Sequence, residues 1–173
     1  MRTLAIVTLA LATLLPRPCL AQTTEWPDYT PEQRWNRMAQ LGVVGLVSAI
    51  TYAKAQNADI EEFGKWWGDL FAPSWGQPGT YGPFEVMRGV RRNFLSYHAA
   101  EFEILAQTEN SVSARFNRPY VTYFGESGTW YGVTLEEYEM LWSMFYQRIA
   151  EYHGLAFDER REGERWVITF TRR

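Results

Sequence analysis

The sequence predicts an α+β protein in which helices pack on one face of an antiparallel sheet. Apolar residues recur at steps of three and four in three segments before residue 99 and again at residues 135–152, which indicates helices. They alternate with polar residues in segments 100–117 and 155–171, which indicates two β-hairpins. Strands grouped as hairpins favour an antiparallel sheet. The predicted order is three helices, a hairpin, a long helix and a second hairpin.

The predicted starts of the helices carry residues that cap free backbone N–H groups. Thr30, Asp59 and Thr134 stand at the starts of the first, second and fourth helices, each with a Gln or Glu three residues later. Pro83 occupies the first position of the third helix, where its missing N–H costs nothing. These signals place the helix starts without reference to the rest of the chain.

The first helix carries several small residues on one stripe. A three- and four-residue spacing links the members of this stripe, which are Trp35, Met38, Gly42, Gly45, Ala49 and Ala53. Small side chains let a second element approach closely. We therefore predict that another element packs against this stripe.

Residues 1–21 have the pattern of a cleaved signal peptide. Arg2 precedes an apolar run at residues 4–15, prolines follow, and the segment ends at the small residue Ala21. The run is shorter than the roughly 20 apolar residues that span a bilayer. We therefore expect a periplasmic or secreted protein without a membrane span after cleavage. An uncleaved anchor and a lipoprotein are the alternatives.

Cleavage would leave an extended leader at residues 22–30 and one α+β domain at residues 31–173. It would remove two arginines and Cys19, the only cysteine of the chain. The remaining chain would have no thiol or disulfide chemistry. It would also be more acidic than the full chain, whose formal net charge is −3. Because nucleic-acid binding relies on Lys and Arg at phosphates, we expect no nucleic-acid partner.

Residues near the end of the third helix are candidates for ligand contacts or catalysis. Arg91 can bind a carboxylate through its guanidinium fork. His98 lies on the same predicted face, and Glu101 follows closely. His98 can act as a general base that Glu101 orients, or as an axial ligand to haem. The structural alternatives are an Arg91 ion pair with the protein's own carboxylates and a His98 that stabilises the helix end.

Aromatic residues make up 16% of the chain, and only some of them lie on the predicted apolar faces of the helices. Others lie in two irregular loops, residues 73–83 and 118–133. Such loops can wall an apolar pocket, pack as lids over the sheet, or form a surface for a partner protein. The candidate ligand contacts among the aromatic residues are Tyr120, Tyr123, Trp67 and Trp142.

No catalytic or nucleotide-binding motif stands in the sequence. It contains neither a G-x-S-x-G nucleophile elbow in a strand–helix context nor an H-E-x-x-H motif, and no glycine-rich phosphate loop. With only two histidines and no cysteine after residue 19, we predict no metal site. We also predict no cofactor, with haem as the alternative.

The order of the elements and the general character of their sequences resemble those of a known family. The helical segment YAKAQNADIEEFGKWWGDLFAPSW, the following helix and hairpin, and the GVTLEEYEMLW…YHGL helix are similar to the L-2-amino-thiazoline-4-carboxylic acid hydrolase-like group. That group is related in shape to vinyl-reductase-type and haem–nitric-oxide-binding domains. The resemblance implies a pocket between helices and sheet. Family members carry cysteines in the region matching residues 117–123, where this chain has none, so no catalytic residue is carried over.

Three functions are therefore open. The leading hypothesis is an exported domain that binds a small, partly apolar ligand between helices and sheet. The first alternative is a periplasmic hydrolase that uses His98 and Glu101. The second is a structural or protein-interaction module. The sequence does not indicate the oligomeric state.

Overall fold

A computed structural model describes residues 28–173. The predicted signal peptide and most of the predicted leader lie outside these residues. Within them the helices are α1 (Pro31–Ala55), α2 (Ile60–Phe71), α3 (Pro83–Phe94) and α4 (Leu135–Tyr152). The strands are β1 (Phe102–Gln107), β2 (Ser111–Phe116), β3 (Thr129–Trp130), β4 (Val133–Thr134), β5 (Leu155–Glu162) and β6 (Arg165–Arg172). Short 3₁₀ turns lie at Ala72–Trp75 and Pro119–Phe124.

The main sheet has the strand order β1-β2-β6-β5, and every neighbouring pair is antiparallel. Strands β3 and β4 pair separately as a short hairpin. Helices cover the inner face of the main sheet, where Ala114, Phe116 and Ile168 are buried. The predicted α+β class and antiparallel pairing are confirmed.

The predicted helix caps are confirmed. The Thr30 and Thr134 hydroxyls accept hydrogen bonds from the backbone N–H groups three residues later, at 3.2 and 3.1 Å. The Asp59 carboxylate does the same for α2 at 3.0 Å. Each side chain satisfies one of the N–H groups that the first helical turn leaves free. Local chemistry therefore sets where these helices begin.

The buried face of α1 differs from the predicted one. Val43, Val47 and Ile50 pack into the core, whereas Gly42 and Gly45 are exposed. A Cβ added at either glycine would meet nothing within 4 Å. Among the described residues no other element packs closely on Gly42 or Gly45, and the branched residues of the neighbouring stripe face the core instead.

By its length and composition alone, helix α1 could also cross a membrane. It has 25 residues, and its most apolar window has a mean hydropathy of 1.3. Core helices of soluble proteins can have the same length and hydropathy. In the structure one face of α1 lies against the core.

The close helix–helix contact occurs between α2 and α4. Gly64 and Gly68 of α2 are buried one turn apart on the face that meets α4. A Cβ at Gly64 would lie 2.8 Å from Cβ of Met144, and one at Gly68 would lie 2.6 Å from Cβ of Arg148. Only glycine permits this approach. It places α4 between α2 on one side and strand β5 on the other.

Candidate ligand-binding cavity

A cavity of about 530 Å³ lies between α1, the end of α3, the sheet and α4. Aromatic and aliphatic side chains form most of its wall. Protein interiors are densely packed and contain few voids larger than a water molecule. A space of this volume is in the range of pockets that hold small molecules, about 300–1,000 Å³.

Helix α1 forms one wall of the cavity. Trp35, Met38, Gly42 and Leu46 recur at steps of three and four and face it. The small-residue stripe that the sequence singles out thus borders the cavity rather than another helix. Indole Nε1 of Trp35 donates a hydrogen bond to the carbonyl of Ser96 at 2.7 Å, which ties α1 to the end of α3.

The sheet contributes Phe116 and Trp166 to the opposite side. The Trp166 ring is held on both its edge and its face. Its Nε1 donates to the Glu159 carboxylate at 2.8 Å. The guanidinium of Arg161 lies 4.4 Å from the ring centroid, a cation–π contact. These contacts fix the orientation of the indole, so this part of the wall is preformed.

Helix α4 contributes Trp142 and Tyr146, whose rings stack at 5.5 Å with an interplanar angle of 23°. Behind them lies Trp67 of α2. Its ring centroid is 5.2 Å from that of Trp142 and 4.5 Å from that of Phe145. The glycine-mediated contact between α2 and α4 therefore supports this wall from outside.

Two further tyrosines line the cavity and are hydrogen-bonded to buried partners. The hydroxyls of Tyr97 and Tyr138 lie 2.8 Å apart, and that of Tyr120 donates to the Glu139 carboxylate at 3.0 Å. Burial raises the pKa of Tyr97 to about 12 and raises the pKa of Tyr120 well above its usual value. Both phenols are therefore uncharged at neutral pH.

Glu139 is a buried carboxylate on α4 that joins three elements. Its Oε1 accepts from Nε of Arg118 at 2.5 Å, and its Oε2 accepts from Nη2 of Arg161 at 2.8 Å. Tyr120 supplies a third hydrogen bond. The Glu139 side chain is only 8% exposed, so these partners replace the water contacts that the carboxylate loses on burial. The cluster fixes the positions of two side chains. Tyr120 lines the cavity, and Arg161 supports the Trp166 ring.

The structure separates the predicted aromatic contacts into two groups. Tyr120 and Trp142 line the cavity. Tyr123 does not, and its hydroxyl donates to Asn36 at 2.9 Å on the surface. Trp67 lies behind Trp142 rather than in the wall. The sequence assigned all four to the same pocket.

The arginine that lines the cavity is Arg92, the neighbour of the predicted Arg91. Both are exposed, and both stand in the last turn of α3. The buried face of α3 runs through Val86, Met87, Val90 and Phe94, which turns Arg91 away from the cavity. One residue step on a helix rotates the side chain by about 100°, and this rotation brings Arg92 to the cavity mouth.

His98 and Glu101 are not paired with each other. Nε2 of His98 lies 2.9 Å from the Glu32 carboxylate, and the imidazole meets the Trp35 ring edge-on at 5.5 Å. The Glu101 carboxylate accepts from Arg165 at 2.9 Å. His98 is absent from the cavity wall within the described residues. The arrangement that the hydrolase alternative requires is therefore not formed.

The other histidine, His153, ends α4 and is buried. Its ring stacks on Tyr81 at 5.0 Å, and its Nδ1 accepts from the Tyr81 backbone N–H at 3.4 Å. Burial lowers its pKa, so the ring is held neutral. Among residues 28–173, no group of three or more potential metal ligands is found.

The cavity and the fold together define the class: an α+β protein with a ligand-sized aromatic cavity between its helices and its sheet. The sequence matches no protein-family model and no curated protein. The solved structures similar to it include an Fe(II) unliganded H-NOX protein from K. algicida, with 10% identity, TM-score 0.38, and coverage of 70% of this chain and 67% of that one. They also include a mutant of that H-NOX protein, with 12% identity, TM-score 0.40, and coverage of 85% of this chain and 75% of the mutant.

Both neighbours are described as Fe(II) proteins, which contradicts the sequence-based prediction that the chain takes no cofactor. We withdraw that prediction. These descriptions apply to the neighbours, and at TM-scores of 0.38 and 0.40 they assign no cofactor to this chain. The solved structures do not bear on the resemblance to the hydrolase-like group, which stays a prediction.

The haem alternative rests on His98, and the position of this histidine does not fit it. Neither His98 nor His153 lines the cavity within the described part of the chain. Tyrosine can ligate haem iron, but burial raises the pKa of Tyr97 and Tyr120, which opposes the ionised form.

Proposed function

We propose that this chain binds a small, largely apolar molecule in the aromatic cavity. The observation that carries the proposal is the cavity itself, about 530 Å³ with a wall formed mainly by aromatic and aliphatic side chains. Transfer of apolar surface from water into such a space is favourable, by about 25 cal/mol per Å². Preformed rings such as Trp166 lower the entropic cost of binding.

The mouth of the cavity supports entry from solvent. Trp35 and Met38 line the cavity and remain 47% and 66% exposed, so one edge of the wall is at the surface. Arg92 is exposed at the same cavity. A ligand can therefore reach the aromatic interior without unfolding of the core.

The protein-interaction alternative receives less support from the aromatic loops. Trp75, Tyr120 and Phe124 are buried, and Trp130 is half-buried against Phe124. Tyr131, at 68% exposed, is the loop aromatic that is most open to solvent. Most aromatic residues of these loops are thus packed inward rather than presented to a partner.

Replacement of Gly42 by leucine is expected to block the cavity without straining the fold. Gly42 lines the cavity, and a Cβ there meets nothing within 4 Å. We expect naphthalene, an uncharged aromatic probe, to raise the melting temperature of the wild-type protein. In Gly42→Leu the naphthalene affinity should fall at least about tenfold, because the isobutyl group occupies volume that the probe needs.

Gly45→Leu is the matched control. Gly45 lies on the same helix and is equally open, but it does not line the cavity. Its variant should bind naphthalene like the wild type in a calorimetric or fluorescence titration. Equal naphthalene affinity in Gly42→Leu and Gly45→Leu would contradict the proposed function.

A further inference from the structure

The inner wall of the cavity contains a tyrosine hydroxyl without a hydrogen-bond partner among the described residues. Tyr146 lines the cavity and is 4% exposed. The other two tyrosines of the wall, Tyr97 and Tyr120, are paired with Tyr138 and Glu139. Within residues 28–173 no hydrogen bond involves the Tyr146 hydroxyl, and burial raises its pKa. Tyr146 therefore differs from its neighbours in the wall.

The Tyr146 hydroxyl is not fully enclosed by protein. Among the described residues that are not exposed, one fully enclosed side-chain polar atom lacks a hydrogen-bond partner. That atom is Nε2 of His153. The Tyr146 oxygen is therefore not fully enclosed, and the residue that carries it lines the cavity. Buried polar groups in native proteins are almost always hydrogen-bonded. An open hydroxyl in an apolar wall is accordingly a position for a polar atom of the ligand.

The surroundings specify the chemistry of that atom. A phenol can donate and accept a hydrogen bond. Burial raises the pKa of Tyr146 far above neutrality, so the hydroxyl keeps its proton. Of the described residues that line the cavity, only Arg92 is charged, and it is exposed at the mouth. Because an unpaired charge is costly to bury, the ligand atom that meets Tyr146 should be uncharged.

The position of the Tyr146 ring is fixed. Trp142 stacks on it at 5.5 Å, and the Trp75 and Phe145 rings pack against it edge-on. A ring held on several sides directs its hydroxyl to one place. Such a donor discriminates between ligands by whether they carry an oxygen at that place.

We propose that Tyr146 is the specificity-determining residue of the cavity. Its hydroxyl hydrogen-bonds with a hydroxyl or carbonyl oxygen of an uncharged ring compound, which the surrounding aromatic side chains enclose. This inference rests on the proposed function and adds the class of ligand to it.

A comparison of 2-naphthol with naphthalene tests the inference, because the two probes differ by one hydroxyl. We expect the wild-type protein to bind 2-naphthol more tightly. Tyr146→Phe should lower the 2-naphthol affinity about fivefold, the usual effect of one net hydrogen bond. Naphthalene affinity should change less than about twofold, since the ring volume is kept. The melting temperature should not fall, because no hydrogen bond to protein is lost.

Tyr123→Phe is the matched control, since the Tyr123 hydroxyl pairs with Asn36 away from the cavity. It should change neither affinity. If Tyr146→Phe leaves 2-naphthol binding unchanged, or weakens both probes equally, the inference is overturned while binding in the cavity stands. If naphthalene does not bind, or binds Gly42→Leu as it binds the wild type, the proposed function is overturned and the inference with it.

Discussion

Glu139→Ala is expected to lower the free energy of unfolding by about 3–5 kcal/mol. The carboxylate is enclosed by Arg118, Arg161 and Tyr120. Its removal leaves the Arg118 charge, only 18% exposed, without its partner. It also leaves the buried Tyr120 hydroxyl without its acceptor, a further desolvation cost.

The measurement is chemical denaturation of the variant beside a surface control. Glu103 pairs with Arg115 at 2.7 Å, but the two side chains are 53% and 33% exposed. Exposed pairs of this kind contribute about 0–1 kcal/mol. Glu103→Ala should therefore be close to the wild type. A loss in Glu139→Ala no larger than that in Glu103→Ala would show that the buried cluster does not hold the cavity wall to α4.

Gly68→Ala is expected to lower the free energy of unfolding by about 2 kcal/mol, although alanine is the better helix former. An added Cβ would lie 2.6 Å from Cβ of Arg148 and 3.2 Å from Cα of Phe145. Neither atom is the end of a flexible side chain, so α2 must move away from α4. Overpacking of this kind costs about 1–3 kcal/mol. For a chain of this size the melting temperature should fall by about 4–8 °C.

Gly45→Ala separates the contact from helix propensity. Gly45 also lies inside a helix, but a Cβ there meets nothing within 4 Å. The substitution should stabilise α1 by up to about 1 kcal/mol. Opposite signs for Gly68→Ala and Gly45→Ala in thermal unfolding are the expected result. A stabilising Gly68→Ala would contradict the close approach of α2 and α4.

The features that the sequence predicts correctly are local ones. The caps at Thr30, Asp59 and Thr134 act within one helical turn, so their signal is complete in four residues. The alternation that marks the hairpins is equally local, and it sufficed for the fold class. Strand β1 shows the limit of this signal. As an edge strand with a bulge between Ile104 and Ala106, it exposes Ile104, although the alternating pattern continues through it.

The features that the sequence missed depend on distant partners. Nothing near Glu139 shows that it is buried, because its partners Arg118 and Arg161 are 21 and 22 residues away. The small-residue stripe of α1 is conspicuous, yet the glycines that bring helices together are Gly64 and Gly68 of α2. Their four-residue spacing was the available signal. Apolar residues on several sides of α1 left its buried face undetermined.

The cavity was foreseen only in part for the same reason. Tyr120 and Trp142 belong to its wall, but the wall is assembled from α1, α3, two strands and α4. Periodicity assigns a residue to a face of its own helix and does not say what that face meets. A difference of one residue separates the predicted Arg91 from Arg92, which lines the mouth. Tyr146 carried no signal beyond its place in the α4 pattern.

The most direct test of binding in the cavity is to locate bound naphthalene by NMR. Intermolecular NOEs should connect the naphthalene protons to the methyl groups of Met38 and Leu46, which face the cavity from α1. The exposed apolar face of α2, with Trp66 and Leu70 each 57% exposed, is the competing surface. NOEs to Leu70 methyl groups, with none to Leu46, would contradict the claim that the cavity is the binding site.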